Sequence, residues 1–231
     1  GGAKDVLIGQ DYDVVPAEQF IEDVMPLLRD PRYLRASGAV VLAVYKLAQL
    51  PDPDATVRRW RERCREEGIG EILLLQVDVG EAMGGLERMG AQSIVDGSLT
   101  FAPHNIPWMV SEVVAAPKDD RFHGNMMSYR GMADAAIERL SALDERHAPG
   151  LMVTFDNTAR RQWHPDMFTG SNPYTYRRWL AACIAAVADR PEDERLVFVN
   201  AWNEWAESAV LEPTEQFGRT YLLATRSANG A

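Results

Sequence analysis

The feature that most constrains the fold of this chain is a series of short apolar runs that alternate with amphipathic helical patterns. The runs at 39–46 and 71–78 are almost continuously apolar, as expected of strands covered on both faces. Further strands are predicted at 94–101, 150–156 and 195–202. Helices are predicted to begin near Pro16, Asp54, Glu81, Tyr129, Pro173 and Phe217. Two long loops are predicted over Asn105–Gly124 and Thr158–Gly170. This alternation predicts parallel β/α units, arranged as an open sheet or as the later part of an eight-unit barrel.

Composition limits the domain count and the partners. The chain has 231 residues, 46% of them hydrophobic, which suits one sizeable core, and residues 1–231 are predicted to form a single domain. The formal charge of −10 argues against a nucleic-acid binder and against binding to anionic membranes. No apolar stretch reaches the roughly 20 residues that a membrane span needs.

The cysteines and the first residues bear on the cellular compartment. Cys64 and Cys183 each sit in a helical pattern and are expected to be small core residues rather than disulfide partners or metal ligands. Gly1 to Asp5 do not form a signal peptide, so we expect a cytoplasmic protein. The absence of an initiator Met suits a fragment of a longer chain.

Metal sites and cofactors are not expected. Asp52-Pro53-Asp54 resembles the D-x-D of many glycosyltransferases, but it directly precedes a predicted helix, where Asp is a common N-cap. No phosphate-binding or dinucleotide-binding motif occurs. The four histidines show none of the spacings of zinc sites; they are His104, His123, His147 and His164.

Polar side chains follow every predicted strand. In a parallel sheet the carboxyl ends of the strands converge on one face, which is where α/β folds place their sites. The alternative is that these residues are polar only because loops are solvated. The set consists of Tyr45, Lys46, Gln76, Asp78, Pro103, His104, Asp156, Asn157, Asn203, Glu204 and Glu207.

The last strand leads directly into two carboxylates flanked by tryptophans. Glu204 and Glu207 would share one face only if the strand ends near Trp202 and the chain then coils, which would place their Cβ atoms about 5–6 Å apart. Trp202 and Trp205 supply apolar walls and flat faces for sugar C–H groups. Two carboxylates, one of them protonated, are what cleavage of a glycosidic bond requires. The alternative is a solvated helix start, where acids are favoured by the helix dipole.

The second predicted loop carries basic and aromatic residues, each of which could either bind a ligand or lie on the solvated surface. Arg160 and Arg161 suit bidentate contacts to an acidic sugar or a phosphate, or simple surface pairing with the acidic body. His164, next to Trp163, suits either sugar contact or an exposed loop position.

The segment Trp202-Asn203-Glu204-Trp205-Ala206-Glu207, with Leu211-Glu212-Pro213 after it, resembles the signature of the glycoside hydrolase family 99-like, or WbsX-type, proteins of bacterial polysaccharide and O-antigen loci. Asp156-Asn157-Thr158-x-Arg160-Arg161 is the second specific match. Weaker matches are Leu7–Tyr12, Asp30–Tyr33, Tyr176–Leu180 and Gly218–Thr225.

The resemblance implies a (β/α)₈ TIM-barrel-like fold with the WNEW strand last, here incomplete and limited to about the last five β/α units. It also implies a retaining, endo-mannosidase-like reaction on α-linked glycans. Glu207 would be the general acid/base, and Glu204 the base that helps the sugar 2-hydroxyl attack C1. A retaining pair is about 5–5.5 Å apart. The substrate-binding residues that we expect are Trp202, Asn203, Trp205, Asp156, Asn157, Arg160, Tyr45 and His104.

Two departures from the family pattern leave alternatives open. The early β/α units that complete such barrels are absent before Leu7, and Ser208 and Ala209 stand where glycine is common. WbsX-type proteins are often called glycosyltransferases, so one alternative is a transferase in O-antigen or lipopolysaccharide synthesis. The other is a non-catalytic, glycan-binding remnant.

Overall fold

The computed structural model describes residue 9 and residues 11–79, 94–104 and 119–230, without the side chain of His104. The helix predicted near Glu81 and most of the predicted connection over Asn105–Gly124 lie outside these residues. The helices are α1 Gln19–Leu28, α2 Pro53–Glu66, α3 Tyr129–Arg139, α4 Pro173–Ala186 and α5 Thr220–Ala228. The strands are β1 Arg35–Ala36, β2 Ala39–Val44, β3 Ile72–Asp78, β4 Gly97–Thr100, β5 Asn125–Ser128, β6 His147–Ala148, β7 Gly150–Leu151, β8 Asp166–Thr169, β9 Phe198–Val199, β10 Asn203–Glu204 and β11 Ala209–Val210.

The main sheet is parallel, as the alternation of strands and helices predicts. Strands β2, β3, β4 and β6 are neighbours in that order, and β1 folds back antiparallel to β2 at the edge. The chain then changes partner at Pro149, because β6 pairs with β4 whereas β7 pairs with β9. Gly150 allows this close approach, since a Cβ there would lie 2.2 Å from the carbonyl oxygen of Thr100.

The two faces of the sheet bury separate clusters, because successive side chains of a strand point to opposite sides. The helix-covered face packs against α1 and α2, with Ile21, Leu28, Val40, Leu42, Trp60 and Leu74 in one cluster. The inner face buries Ala36, Val41, Leu75, Leu99 and Ala148, with Phe198 packed against them.

The sheet curls, because β1 at one edge lies close to the segment that contains β9. Ala36 of β1 and Phe198 of β9 belong to the same inner cluster. In addition, the backbone N–H of Ser37 donates to Asp193 Oδ2 at 2.6 Å, and its hydroxyl donates to Glu194. The architecture is therefore a curled half-barrel with helices outside, consistent with an incomplete α/β barrel. The number of β/α units stays a prediction.

Caps and core positions follow the sequence closely. Asp52 is the N-cap of α2 and accepts the N–H of Ala55 at 2.9 Å, so the cap interpretation of Asp52-Pro53-Asp54 is confirmed. Cys64 and Cys183 are free and buried, as predicted, and Trp60 and Trp179 are also core residues.

Several boundaries differ from the predictions. The strand predicted at 195–202 is reduced to Phe198–Val199, and that at 150–156 to Gly150–Leu151, because β7 and β9 pair only over these residues. The strands predicted at 39–46 and 94–101 end at Val44 and begin at Gly97. The helix predicted from Tyr129 extends to Arg139, where a short 3₁₀ turn follows.

The prediction of a loop over Thr158–Gly170 is wrong in part. It contains β8, which pairs in parallel with β5 over Asn125–Ser128 as a separate two-stranded ribbon. Neither strand has the β-branched, alternating pattern that indicates a strand in the sequence.

Candidate active site

The segment after β9 folds as a short hairpin. Strands β10 and β11 are antiparallel, with Glu204 opposite Ala209, and a 3₁₀ turn over Trp205–Glu207 connects them. Ser208 ends the turn in the left-handed region, with φ at 51°. The predicted coil directly after Trp202 is therefore wrong, because β9 ends at Val199 and a new strand, β10, holds Glu204. Glu207 lies in the turn that follows β10. Their proposed catalytic roles stay predictions.

Glu207 is the better-packed of the two carboxylates. Its side chain is only 17% exposed, and Arg160 Nη1 donates to its Oε1 at 2.7 Å. Its backbone carbonyl accepts the N–H of Asp156 at 2.8 Å. The connection that follows β7 therefore holds the turn that carries Glu207.

Tyr45, directly after β2, faces the same region. Burial raises the pKa of the Tyr45 phenol; the charge of Glu207 adds to the rise and that of Arg160 opposes it. The Tyr45 ring meets Phe101, after β4, edge to face, with centroids 5.9 Å apart. Residues that follow β2, β4, β7 and β9 therefore converge at the carboxyl end of the sheet, as expected.

Asp156 and Asn157 shape the loop that carries Arg160. Asp156 Oδ1 accepts the N–H of Thr158 at 2.9 Å. Asn157 is buried, and its carbonyl accepts the N–H groups of Arg160 and Arg161 at 2.9 and 2.8 Å. Sugar contact by Asp156 or Asn157 stays a prediction.

The remaining residues of that loop form a second patch. Arg161 pairs with Asp166 at 3.4 Å, in line with the surface-pairing interpretation. The guanidinium of Arg121 lies 4.2 Å from the centroid of the Trp163 ring. His164 is exposed and stacks on His123, with ring centroids 5.6 Å apart.

The tryptophans of the motif are exposed next to the carboxylates. Trp202 is 52% exposed and Trp205 58% exposed; Asn203 and Glu204 are also exposed. Trp205 Nε1 donates to Glu212 Oε1 at 2.6 Å. Glu212 gives no signal in the sequence beyond its place in the family signature.

His104, the remaining predicted site residue, ends a 3₁₀ turn that follows β4. Its side chain lies outside the described residues, so its contact with sugar stays a prediction.

A buried histidine that sequence reasoning did not single out lies on the helix-covered face. His147 Nδ1 is 2.6 Å from Ser98 Oγ, and Nε2 is 2.5 Å from Thr100 Oγ1. These residues line a cavity of about 250 Å³, whose wall includes Asp78 and Arg139. Burial lowers the pKa of His147.

Two negative findings concern the described part of the chain. It holds no group of three or more His, Cys, Asp or Glu residues placed to bind a metal ion. None of its helices has the length and apolar character to cross a membrane.

The chain is similar to one protein family and to two curated proteins. A family model described as "Glycosyltransferase WbsX" matches residues 1–225. Two proteins described as "Uncharacterized protein WxcX", from two strains of Xanthomonas campestris pv. campestris, are 37% identical over 231 residues. The match covers 99% of this chain and 32% of each relative. The chain thus spans about a third of the length of these curated relatives.

Two solved structures resemble the fold. A glycoside hydrolase-like protein has a TM-score of 0.62 at 15% identity, over 96% of this chain and 62% of that one. The GH99 endo-alpha-mannosidase from Bacteroides thetaiotaomicron has a TM-score of 0.51 at 15% identity, over 96% of this chain and 61% of that one. These likenesses concern the fold, whereas the family follows from the sequence. The chain belongs to the WbsX family, whose description is that of a glycosyltransferase.

Proposed function

We propose that this chain carries the catalytic carboxylates of a glycan-active enzyme of bacterial surface polysaccharide metabolism. The reaction that we propose is retaining cleavage of α-linked, mannose-like glycans with Glu204 and Glu207. One observation supports it: Glu207, at the carboxyl end of a parallel sheet, is held by Arg160. Glu204 and two exposed tryptophans are its neighbours in the chain.

In the first step, Glu204 takes the proton of the sugar 2-hydroxyl while O2 forms a bond to C1. The bond from C1 to the glycosidic oxygen breaks, and Glu207 gives its proton to that leaving oxygen. In the second step, water attacks C1 and the O2–C1 bond opens. Glu207 then takes a proton from the water, and Glu204 returns its proton to O2. Each glutamate ends in its starting state, and two displacements at C1 retain the anomeric configuration.

The contact of Arg160 supports different tasks for the two oxygens of Glu207. Because Arg160 Nη1 donates to Oε1, we propose that Oε2 carries the proton toward the glycosidic bond. The same hydrogen bond orients the carboxyl group before the substrate arrives. No cofactor or metal takes part in this scheme.

The test uses the complete protein that carries this chain, with α-linked manno-oligosaccharides. Glu207→Gln and Glu204→Gln are each expected to reduce turnover at least about a thousandfold, as for other lost acid/base groups. Glu215→Gln, an exposed glutamate in the same region, is the matched control. NMR of the first-formed product is expected to show the starting anomeric configuration. Near-normal rates in either glutamine variant would refute the proposal.

A glycosyltransferase is the second candidate, and the family description favours it. Here the glutamates would serve transfer from a sugar donor to a glycan acceptor. Product formation that requires an added nucleotide-sugar donor, with no hydrolysis of α-mannosides, would select this candidate.

A non-catalytic, glycan-binding remnant is the third candidate. The exposed faces of Trp202 and Trp205 support it, since aromatic rings can bind sugars without catalysis. Glycan binding that persists in the Glu204→Gln/Glu207→Gln double variant, without turnover in the wild type, would select it.

The proposal also includes the extent and location of the domain. We propose that residues 1–231 belong to one domain, and that it acts in the cytoplasm. The free, buried cysteines Cys64 and Cys183 support a reducing compartment. Cell fractionation tests the location. Limited proteolysis tests the single domain, and we expect it to yield no stable fragment smaller than residues 1–231.

A further inference from the structure

We infer that Glu212 is a positioning residue that holds the indole of Trp205 as a flat sugar-binding surface beside the carboxylate pair. The inference rests on the proposed function and deepens it. It adds to the predicted site a residue that makes its contribution through Trp205.

The contact between the two side chains is short and directional. Trp205 Nε1 donates to Glu212 Oε1 at 2.6 Å, and a hydrogen bond to an ionised acceptor is stronger than one between neutral groups. The indole is 58% exposed, so water could satisfy its N–H. The bond to Glu212 therefore has a specific effect, which is to fix the rotation of the ring.

Glu212 is anchored independently of Trp205. Its backbone N–H donates to the carbonyl of Trp202 at 3.0 Å, and the N–H of Leu211 donates to the same oxygen at 2.9 Å. Pro213 follows and fixes its own φ. The backbone of Glu212 is thus held by the start of the hairpin, which limits the positions that its carboxylate can reach and favours the one in contact with the indole.

The location gives this orientation a use. Trp205 lies between Glu204 and Glu207 in the chain, and the face of an aromatic ring suits the C–H groups of a sugar. A ring that already has its bound orientation loses less conformational entropy when the sugar binds. Removal of the anchor is therefore expected to weaken binding while the chemical step is preserved.

The experiment compares four variants of the complete protein, with α-mannotriose as the probe. Glu212→Leu removes the acceptor, Glu212→Gln keeps an oxygen at that place, and Trp205→Phe removes the donor but keeps a ring. Glu215→Leu is the control for loss of a nearby negative charge. We expect Glu212→Leu to raise KM about tenfold with kcat changed less than about twofold, and Glu212→Gln to stay close to wild type. Equal losses in kcat and thermal stability, with KM unchanged, would overturn the inference.

A second readout does not require turnover. The near-UV circular dichroism of Trp205, taken as the difference from Trp205→Phe, is expected to collapse in Glu212→Leu and to persist in Glu212→Gln. In the Trp205→Phe background, Glu212→Leu is expected to have no further effect on the spectrum, which is the signature of direct coupling. An unchanged Trp205 signal in Glu212→Leu would overturn the inference. If α-mannotriose is neither bound nor cleaved, the proposed function fails, and the spectra alone decide whether Glu212 orients the ring.

Discussion

The buried His147 makes the stability of this protein sensitive to pH in a defined window. Its ring is enclosed between the hydroxyls of Ser98 and Thr100, and burial lowers its pKa from the ordinary value of 6.5. Asp78 and Asp144 oppose this shift, whereas Arg190 and Arg139 reinforce it. The folded protein therefore holds the neutral ring at pH values where the unfolded chain begins to bind a proton.

The sign and the size of the effect follow from linkage. Below pH 6.5 the unfolded state binds more protons than the folded state, so the free energy of unfolding decreases as the pH falls. The contribution of the neutral His147 ring to the free energy of unfolding is complete above about pH 7.5. It decreases as the pH falls through 6.5 toward the pKa of the folded state. The slope is at most about 1.4 kcal/mol per pH unit, so the loss between pH 7.5 and 5.5 is at most about 1.4 kcal/mol.

Urea titrations at half-unit steps from pH 5.5 to 7.5 measure this dependence. His147→Gln keeps hydrogen-bonding atoms for the hydroxyls and removes the titration, so the difference between the two pH curves isolates the histidine. His164→Gln, at an exposed ring, is the matched control and is expected to follow the wild type. Parallel curves for the wild type and His147→Gln across this window would refute the assignment of a buried, neutral ring.

Two further predictions concern backbone geometry. Gly150→Ala is expected to lower the free energy of unfolding by about 2–3 kcal/mol, because its Cβ would lie 2.2 Å from Thr100 O. Gly170→Ala, where φ is +77° and a Cβ meets nothing within 4 Å, is expected to cost only about 1 kcal/mol; equal losses in urea titrations would contradict this reasoning. Ser208→Gly is expected to raise the free energy of unfolding by about 0.5–1 kcal/mol, since Ser208 has φ at 51° and glycine adopts this region without steric cost. A lower melting temperature in Ser208→Gly would contradict the assigned turn.

The sequence was sufficient for features that depend on local pattern. The apolar runs predicted parallel strands, and the prolines after Asp52 and Asn172 marked the starts of α2 and α4, where both residues cap the helix. Convergence of Tyr45 and Glu207 at one end of the sheet followed from parallel topology alone, because such strands align their carboxyl ends.

Features that depend on distant partners were beyond the sequence. Arg160 and Arg161 are adjacent and alike in type, yet one pairs with Glu207 and the other with Asp166. The sequence alone does not distinguish these partners, since the turn of Glu207 is brought to Arg160 by the pairing of β7 with β9. The Met-containing strands β5 and β8 were missed for a related reason, because each is stabilised mainly by the other.

The contact of Ser37 with Asp193 and Glu194 has a consequence for synthesis on the ribosome. The hydrogen-bonded residues Ser37 and Asp193 are 156 positions apart, and Ala36 packs in the same inner cluster as Phe198. At about 5–20 residues per second, roughly 8–30 seconds separate the appearance of these partners. During that interval the hydrogen bonds of Ser37 to Asp193 and Glu194 cannot form. The seam between β1 and this segment can therefore close only after the residues near Asp193 have emerged.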